Sequence, residues 1–271
     1  MTPLRRKKKF AKVAIILLIC VLIFVGVGIG QMIWRIVRIP TTLNDIAFDV
    51  NPRHGYTVYI LENGEYVPYL VLTNNYGGVE TAFGIFGGSR NVLLLRKYLL
   101  DEMMVFNYLQ NEVPEGLIEG VDFLPAYYRT SKIDGFLNGE FLARLSSIED
   151  IIVNSEIVIT HIDSIGRTGN QSQTIERKVF LLSLMEVTRI RELISVAEGR
   201  GLRFFDGRNS LRLFFANIFI DDPNLRIATT ASGAVHSWWL RTPNTWYRFM
   251  VYTINGKRGG SACKKCNVGT S

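Results

Sequence analysis

The chain has 271 residues, of which 48% are hydrophobic and 20% are charged. This composition excludes an intrinsically disordered chain, and the length suits one large folded domain with additional segments. The net charge of +7 would suggest a nucleic-acid partner if it lay on a folded face, but residues 1–38 alone carry eight cations and no acid. The other residues hold 23 cations against 24 acids, so we expect no nucleic-acid partner unless a basic face lies within this neutral average.

An uncharged, apolar run of 22 residues, 13–34, follows a basic tail of residues 1–12. As a helix this run would extend about 33 Å, which is enough to cross the roughly 30 Å hydrocarbon core of a bilayer. The cations before it predict a cytoplasmic N-terminus and a domain outside the cell membrane. A cleaved signal peptide is the alternative, because residues 28–30 form a small-x-small site. Since the apolar run continues to Trp34, we predict an uncleaved, single-pass anchor whose partner is the lipid bilayer.

A linker is predicted over residues 35–55. This stretch contains Pro40, Pro52 and Gly55, and proline and glycine interrupt helices and strands. The exposed domain is predicted over residues 56–271. It opens with two strand-like runs on either side of Asn63-Gly64, a pair typical of a two-residue hairpin turn.

The rest of the domain mixes helices and strands. Helices are predicted over residues 101–112, 131–150 and 186–198. Further strands are predicted over residues 92–95, 151–162, 226–230, 235–241 and 246–255. The fold class is therefore α+β: one N-terminal transmembrane helix followed by a mixed, mainly antiparallel domain with inserted helices.

Residues 238–243 form the most distinctive string in the chain, Trp-Trp-Leu-Arg-Thr-Pro. The string resembles the WWLR(S/T)P signature of a bacterial domain of unknown function, common in predicted surface proteins of Gram-positive anaerobes. Three further segments agree with that family in the same order: residues 69–72, 137–141 and 179–187. The resemblance implies a relationship to C-type-lectin-like and formylglycine-generating-enzyme-like folds, which bind ligands on irregular loops.

The candidate ligand-binding residues lie in and near this string. Because successive strand residues face opposite ways, Trp238 and Leu240 are predicted on one face and Trp239 and Arg241 on the other. One tryptophan is expected in the core. The other could form a stacking surface for a sugar or peptide beside Arg241, but packing inside this aromatic-rich domain is the role we expect for it. Trp246 completes the set of candidate ligand-binding residues.

Cys263 and Cys266 form a paired-thiol motif near the C-terminus. Two cysteines do not complete a zinc site, and no thioredoxin-like context precedes them, so outside the cell we expect a local disulfide. The three histidines, His54, His161 and His236, are scattered, and no nucleophile elbow is present. The sequence therefore implies no catalytic residue, no metal site and no cofactor.

We interpret the chain as a membrane-anchored, extracytoplasmic binding or interaction domain whose sequence identifies no reaction. Its partner beyond the bilayer would be a cell-surface glycan or a protein. The alternative is an extracytoplasmic enzyme, either a hydrolase or a cysteine-dependent oxidase of lectin-like fold. That alternative requires a pocket that joins His236 or Cys263 to carboxylates.

Overall fold

The computed structural model divides the chain into two compact units, residues 1–50 and 51–271. It describes Gly26 of the first unit and the following parts of the second: residues 57–73, 76–77, 91–108, 112–118, 121–166, 169–188, 196–205, 212–213, 216–217 and 222–265.

The predicted tail, membrane helix and linker, residues 1–12, 13–34 and 35–55, lie outside the described residues apart from the helical Gly26. Among the residues that are described, no helix has both the length and the apolar character needed to cross a bilayer.

The second unit begins with a three-stranded antiparallel sheet. Its strands are β1 (Thr57–Glu62), β2 (Glu65–Thr73) and β3 (Leu93–Arg96). β2 lies in the middle of this sheet. Asn63 and Gly64 form the turn with φ angles of 52° and 87°, the left-handed backbone that this pair adopts in two-residue hairpins. The predicted hairpin is confirmed, and the strand predicted at 92–95 is present, shifted by one residue.

The helical segment predicted over residues 131–150 is also confirmed. It consists of α1 (Lys132–Phe136), a π-helical turn (Leu137–Phe141), α2 (Leu142–Arg144) and a 3₁₀ helix (Ser146–Ile151). Ser131 caps its start, because the Oγ atom accepts a hydrogen bond from the N–H of Asp134 at 3.1 Å.

A second hairpin and a short helix follow. β4 (Ser155–Thr160) pairs with β5 (Ser172–Arg177), so the strand predicted at 151–162 is confirmed in its central part. α3 (Leu184–Thr188) begins two residues before the predicted helix, and residues 196–198 at its predicted end are not helical. Two very short strands, β6 (Arg212–Leu213) and β7 (Ala216–Asn217), pair with each other.

The predicted strand at residues 226–230 is wrong at its start. A 3₁₀ helix (Pro223–Arg226) occupies that position, capped by Asp222, whose carboxylate accepts the N–H of Asn224 at 3.1 Å. Beyond this helix, Thr229 forms only an isolated bridge with Val235.

The C-terminal sheet lies between two hydrophobic cores. It contains β8 (Trp238–Pro243), β9 (Met250–Ile254) and β10 (Ser261–Lys265), with β9 in the middle. One face contributes Trp239 and Val251 to the first core. The other face contributes Trp238, Leu240 and Ile254 to the second core. The predicted separation of Trp238 from Trp239 is confirmed, and both faces of β8 are covered.

The helix predicted over residues 101–112 is wrong for residues 101–108, which form bends and an isolated bridge. The reason is that residues distant in the sequence bond to the backbone of this stretch. The carbonyl of Met104 accepts the indole N–H of Trp239 at 3.0 Å, and the carbonyl of Phe106 accepts the N–H of Ile133 at 3.1 Å. Phe106 itself is fully buried. These long-range contacts take up carbonyls that a helix would use internally.

Candidate functional site

Both tryptophans of the Trp-Trp-Leu-Arg string are buried, Trp238 with 9% and Trp239 with 2% of its surface exposed. The indole N–H of Trp238 donates to the carbonyl of Arg226 at 3.0 Å. The indole N–H of Trp239 donates to the carbonyl of Met104, also at 3.0 Å. Since β8 lies between two cores, neither ring offers an open face for stacking. The structure therefore places both rings in the packing role.

Arg241 is fully buried and uses all five of its guanidinium N–H groups. Nη1 donates to Oε2 of Glu186 at 2.8 Å and to the carbonyl of Leu181 at 2.7 Å. Nη2 donates to Oε1 of Glu186 at 3.0 Å and to the carbonyl of Glu198 at 3.3 Å. Nε donates to the carbonyl of Val158 at 3.2 Å. Arg241 therefore has no donor left for a ligand, contrary to its predicted place in a binding surface.

Glu186 is the charged partner of Arg241 and is equally buried. Its Oε1 also accepts the hydroxyl of Tyr76 at 2.7 Å, and its Oε2 accepts the N–H of Ser183 at 2.8 Å. Burial alone would lower the pKa of Arg241, but the nearby charge of Glu186 raises it above its ordinary value. The guanidinium and the carboxylate thus form a fully hydrogen-bonded pair.

Glu198 places a second acidic side chain beside this pair. It is fully buried, and its Oε1 accepts the N–H and the hydroxyl of Thr160, both at 2.7 Å. Its Oε2 accepts the hydroxyl of Thr242 at 2.6 Å. Burial raises the pKa of Glu198, although the charge of Arg241 opposes this effect. We call Arg241, Glu186 and Glu198 the buried polar centre.

The buried polar centre attaches the segment before α3 to β8. The N–H of Arg241 donates to the carbonyl of Leu182 at 3.0 Å. The N–H of Leu184 donates to the hydroxyl of Thr242 at 2.9 Å. These bonds give the irregular segment 179–183 the backbone partners that a regular strand would have.

Asn138 holds the other end of the same segment. Its side-chain Nδ2 donates to the carbonyl of Val179 at 2.9 Å, and its Oδ1 accepts the N–H of that residue at 3.3 Å. Three of the segments that carry the family resemblance, residues 137–141, 179–187 and 238–243, therefore meet in the interior. The residues of these segments named above act in packing and hydrogen bonding within the domain.

The partners of Arg241 were missed by sequence reasoning, although a signal for one of them was present. Glu186 is the sole charged residue in the apolar stretch 179–188. An acid in such a stretch becomes buried only with a partner. The sequence does not reveal which cation provides that partner, because Arg241 lies 55 positions away.

The exposed aromatic residues of this region lie on the loop between β8 and β9, residues 244–249, which we call the aromatic loop. Trp246 is 72% exposed, Tyr247 52% and Phe249 47%. The rings of Tyr247 and Phe249 are neighbours, with centroids 5.9 Å apart. A group of large exposed apolar side chains within four positions of one loop is typical of a contact surface. Trp246 is thus the one predicted ligand-binding residue that is open to solvent.

Asn244 fixes the conformation of the aromatic loop. Its side-chain Oδ1 accepts the N–H of Trp246 at 2.8 Å and the N–H of Tyr247 at 3.0 Å. Its own N–H donates to the carbonyl of Met250 at 2.8 Å, which closes the loop at its base. Its Nδ2 donates to Sγ of Cys263 in β10 at 3.1 Å. Asparagine is favoured in turns because its side chain can bond the backbone in this way.

Arg248 anchors the other side of the aromatic loop. Its carbonyl accepts the N–H of Ala126 at 3.1 Å. Its side chain passes so close to Gly166 that a Cβ atom at that position would clash with Cγ of Arg248. A surface held in this way loses little conformational entropy when a ligand binds.

Cys263 is half-buried, and burial raises the pKa of its thiol. Cys266 lies outside the described residues, so the predicted disulfide stays a prediction. The enzyme alternative requires carboxylates beside Cys263 or His236. Among the described residues, neither side chain is hydrogen-bonded or ion-paired to a carboxylate. In the same part of the chain, no cluster of three or more His, Cys, Asp or Glu residues could hold a metal ion.

Residues 89–269 match a family described as a domain of unknown function, DUF6273. Neither the curated proteins nor the solved structures contain a match.

Proposed function

Because this chain belongs to DUF6273, a family described as a domain of unknown function, we propose its function from its own residues. The protein is a membrane-anchored, extracytoplasmic binding domain. The aromatic loop is the surface that contacts its ligand, and the ligand is a glycan of the cell surface.

The observation that carries this proposal is the exposure of three aromatic side chains on one fixed loop: Trp246, Tyr247 and Phe249 are 72%, 52% and 47% exposed. Leaving such rings in water forgoes the favourable burial that drives most apolar side chains inside. The flat face of an aromatic ring matches the apolar face of a sugar ring, and the polar edge of Tyr or Trp can bond sugar hydroxyls. Asn244 holds the backbone of the loop in place, so a ligand would not have to order it.

The proposed membrane anchor is supported by the uncharged run 13–34 and by the six cations that precede it. Such a run is long enough to span the hydrocarbon core, and cations on its N-terminal side favour a cytoplasmic N-terminus. The domain that carries the aromatic loop would then face the cell exterior, where glycans are abundant.

The resemblance to the WWLR(S/T)P family of surface proteins supports the same location, and we extend it to a lectin-like relationship. Lectin-like folds bind ligands on irregular loops supported by a sheet. The aromatic loop is such a loop, since it joins β8 to β9 and contacts β10 through Asn244 and Cys263. This relationship is an analogy of fold, and function rests on the loop itself.

A binding assay on immobilised polysaccharides tests the proposal. The full-length chain is purified in detergent, and its retention on a panel of cell-wall polysaccharides is measured. We expect the wild type to bind at least one polysaccharide, and Trp246→Ala to weaken this binding about tenfold or more, as truncation of a central aromatic contact does. The matched control is Tyr66→Ala, which removes a 75% exposed ring from β2 and should bind as the wild type does.

Two results would contradict the proposal. In the first, Trp246→Ala binds the polysaccharide as tightly as the wild type. In the second, Tyr66→Ala weakens binding as much as Trp246→Ala, which would show that any loss of an exposed ring has the same effect.

A further inference from the structure

We infer that the glycan is anionic, a sugar polymer with carboxylate or phosphate groups that contact the cations next to the aromatic loop. This inference rests on the proposed function and adds the chemical class of the ligand to it.

The charge of the exposed domain is unevenly distributed along the chain. Residues 223–271 contain seven cations and no acid, whereas residues 39–222 hold 16 cations and all 24 acids. The nearly neutral average of the domain thus conceals a basic C-terminal part. Two of its cations, Arg226 and Arg241, are buried. The other five are Arg248, Lys257, Arg258, Lys264 and Lys265.

Three of these five cations lie at the end of the sheet that carries the aromatic loop. Arg248 stands in the loop itself, between Tyr247 and Phe249, and is exposed. In β10, Lys265 lies opposite Met250, the residue that follows the loop, and Lys264 is the next residue along the strand. Since paired strands run about 4.8 Å apart, the backbone of Lys265 lies beside the base of the aromatic loop, and Lys264 and Lys265 project to opposite faces of the sheet there.

These three cations form no ion pairs within the described part of the chain. None of Arg248, Lys264 and Lys265 forms an ion pair with a described carboxylate. By contrast, Arg96, Arg177 and Arg241 are each bonded to an acid. Unpaired cations beside exposed rings create a positive potential that attracts an anionic ligand.

The composition of the aromatic loop favours a glycan over an anionic membrane surface. Residues 244–249 are Asn, Thr, Trp, Tyr, Arg and Phe, with no aliphatic side chain among them. Segments that insert into lipid commonly add aliphatic residues such as leucine to their aromatic ones. A loop with rings, a cation and hydrogen-bonding side chains instead offers the groups that bind a charged sugar: a stacking face, a counter-charge and polar partners.

The test measures binding of the full-length chain to polygalacturonate, which has one carboxylate on each sugar ring, and to dextran, which is neutral. We expect polygalacturonate to bind about tenfold more tightly at low salt, and this preference to shrink as salt screens the charges. The double variant Arg248→Gln/Lys265→Gln should lose about five- to tenfold in affinity for polygalacturonate, since exposed charge contacts contribute modestly one by one.

The matched control is Lys257→Gln/Arg258→Gln, which removes the same charge at the opposite end of β9, about 17 Å away for a five-residue strand. Measured at about 0.15 M salt, where the Debye length is about 8 Å, it should change affinity by less than about twofold because salt screens charges over this distance. Equal losses in both double variants would overturn the inference, since the effect would then reflect net charge alone. Tighter binding to anionic lipid vesicles or to a single-stranded oligonucleotide than to polygalacturonate would also overturn it.

The outcome separates this inference from the proposed function. If dextran and polygalacturonate bind equally and both are lost in Trp246→Ala, the anionic class is wrong while the aromatic loop remains the binding surface. If Trp246→Ala leaves all binding unchanged, the proposed function itself is wrong.

Discussion

Arg241 and Glu186 form a two-armed ion pair inside the domain, with nitrogen to oxygen distances of 2.8 Å and 3.0 Å. Both side chains are buried: Arg241 has 0% and Glu186 has 1% of its surface exposed. A buried charge without a partner is strongly unfavourable, so each of these residues makes the burial of the other tolerable. The pair joins β8 to α3, and through Tyr76 it also reaches the stretch after β2. We therefore expect the fold to depend on it.

Glu186→Leu should lower the free energy of unfolding by about 3–5 kcal/mol, because it leaves the guanidinium of Arg241 buried without a counter-charge. Urea denaturation of the full-length chain measures this change. The matched control is Glu102→Ala, which breaks the exposed pair between Arg144 and Glu102 and should cost less than about 1 kcal/mol. A loss below about 1 kcal/mol for Glu186→Leu would show that the pair is not needed for stability.

Gly199→Ala should destabilise the domain more than Gly233→Ala does. Both glycines have left-handed backbones, with φ angles of 91° and 86°, so both substitutions incur a cost of about 1–2 kcal/mol. At Gly199 the new Cβ would also lie 2.8 Å from Oε1 of Glu186, whereas nothing lies within 4 Å at Gly233. Equal losses of unfolding free energy in urea would mean that the buried polar centre adjusts to the extra atom.

Stability should fall as the pH rises above 10, owing to buried tyrosines. Burial raises the pKa of Tyr252 from 10.0 to about 12, and burial also raises the pKa of Tyr69, Tyr76 and Tyr128. The folded state therefore keeps protons that the unfolded state releases. For Tyr252 this stabilisation is complete below pH 10, is lost as the pH approaches about 12, and is on the order of 2 kcal/mol.

Urea unfolding at a series of alkaline pH values measures this dependence. Tyr252→Phe should make the decline with pH less steep, since it removes one of the groups that titrate only after unfolding. An equally steep decline in Tyr252→Phe would show that Tyr252 does not take part.

Cys263 should react slowly with iodoacetamide at mildly alkaline pH. Burial raises the pKa of its thiol, so little of the reactive thiolate is present in the folded protein. The same chain unfolded in urea, under reducing conditions, provides the control and should react faster at Cys263. Equal rates in both states would contradict the claim that the fold protects the Cys263 thiol. Reaction of the folded chain only after addition of a reductant would instead support the predicted disulfide with Cys266.

Local sequence signals predict the parts of this fold whose structure depends on neighbouring residues. Asn63-Gly64 determines the first hairpin through its backbone preferences, and the spacing of apolar residues over 131–150 indicates the helical segment. The prediction fails over residues 101–108, where the carbonyls of Met104 and Phe106 bond to distant donors. Such contacts cannot be read from the local pattern.

In the candidate site, too, local patterns are predicted correctly and long-range contacts are not. Alternation along β8 correctly separates Trp238 from Trp239, but it does not reveal that a core covers each face of the sheet. For that reason both rings are buried and Arg241 is enclosed. The predicted strand 246–255 begins only at Met250, because the side chain of Asn244 bonds the backbone of Trp246 and Tyr247 and forms a loop. This loop leaves Trp246 exposed.

Hydroxyl-radical footprinting of the full-length chain with and without polygalacturonate tests most directly whether the aromatic loop contacts a ligand. Radicals oxidise exposed aromatic rings, and Trp246 is 72% exposed in the free protein. We predict that the ligand slows oxidation of Trp246 and Tyr247, while Tyr59 and Tyr66 on the first sheet react at unchanged rates. Oxidation of Trp246 at the same rate under conditions where the ligand is bound would contradict the account.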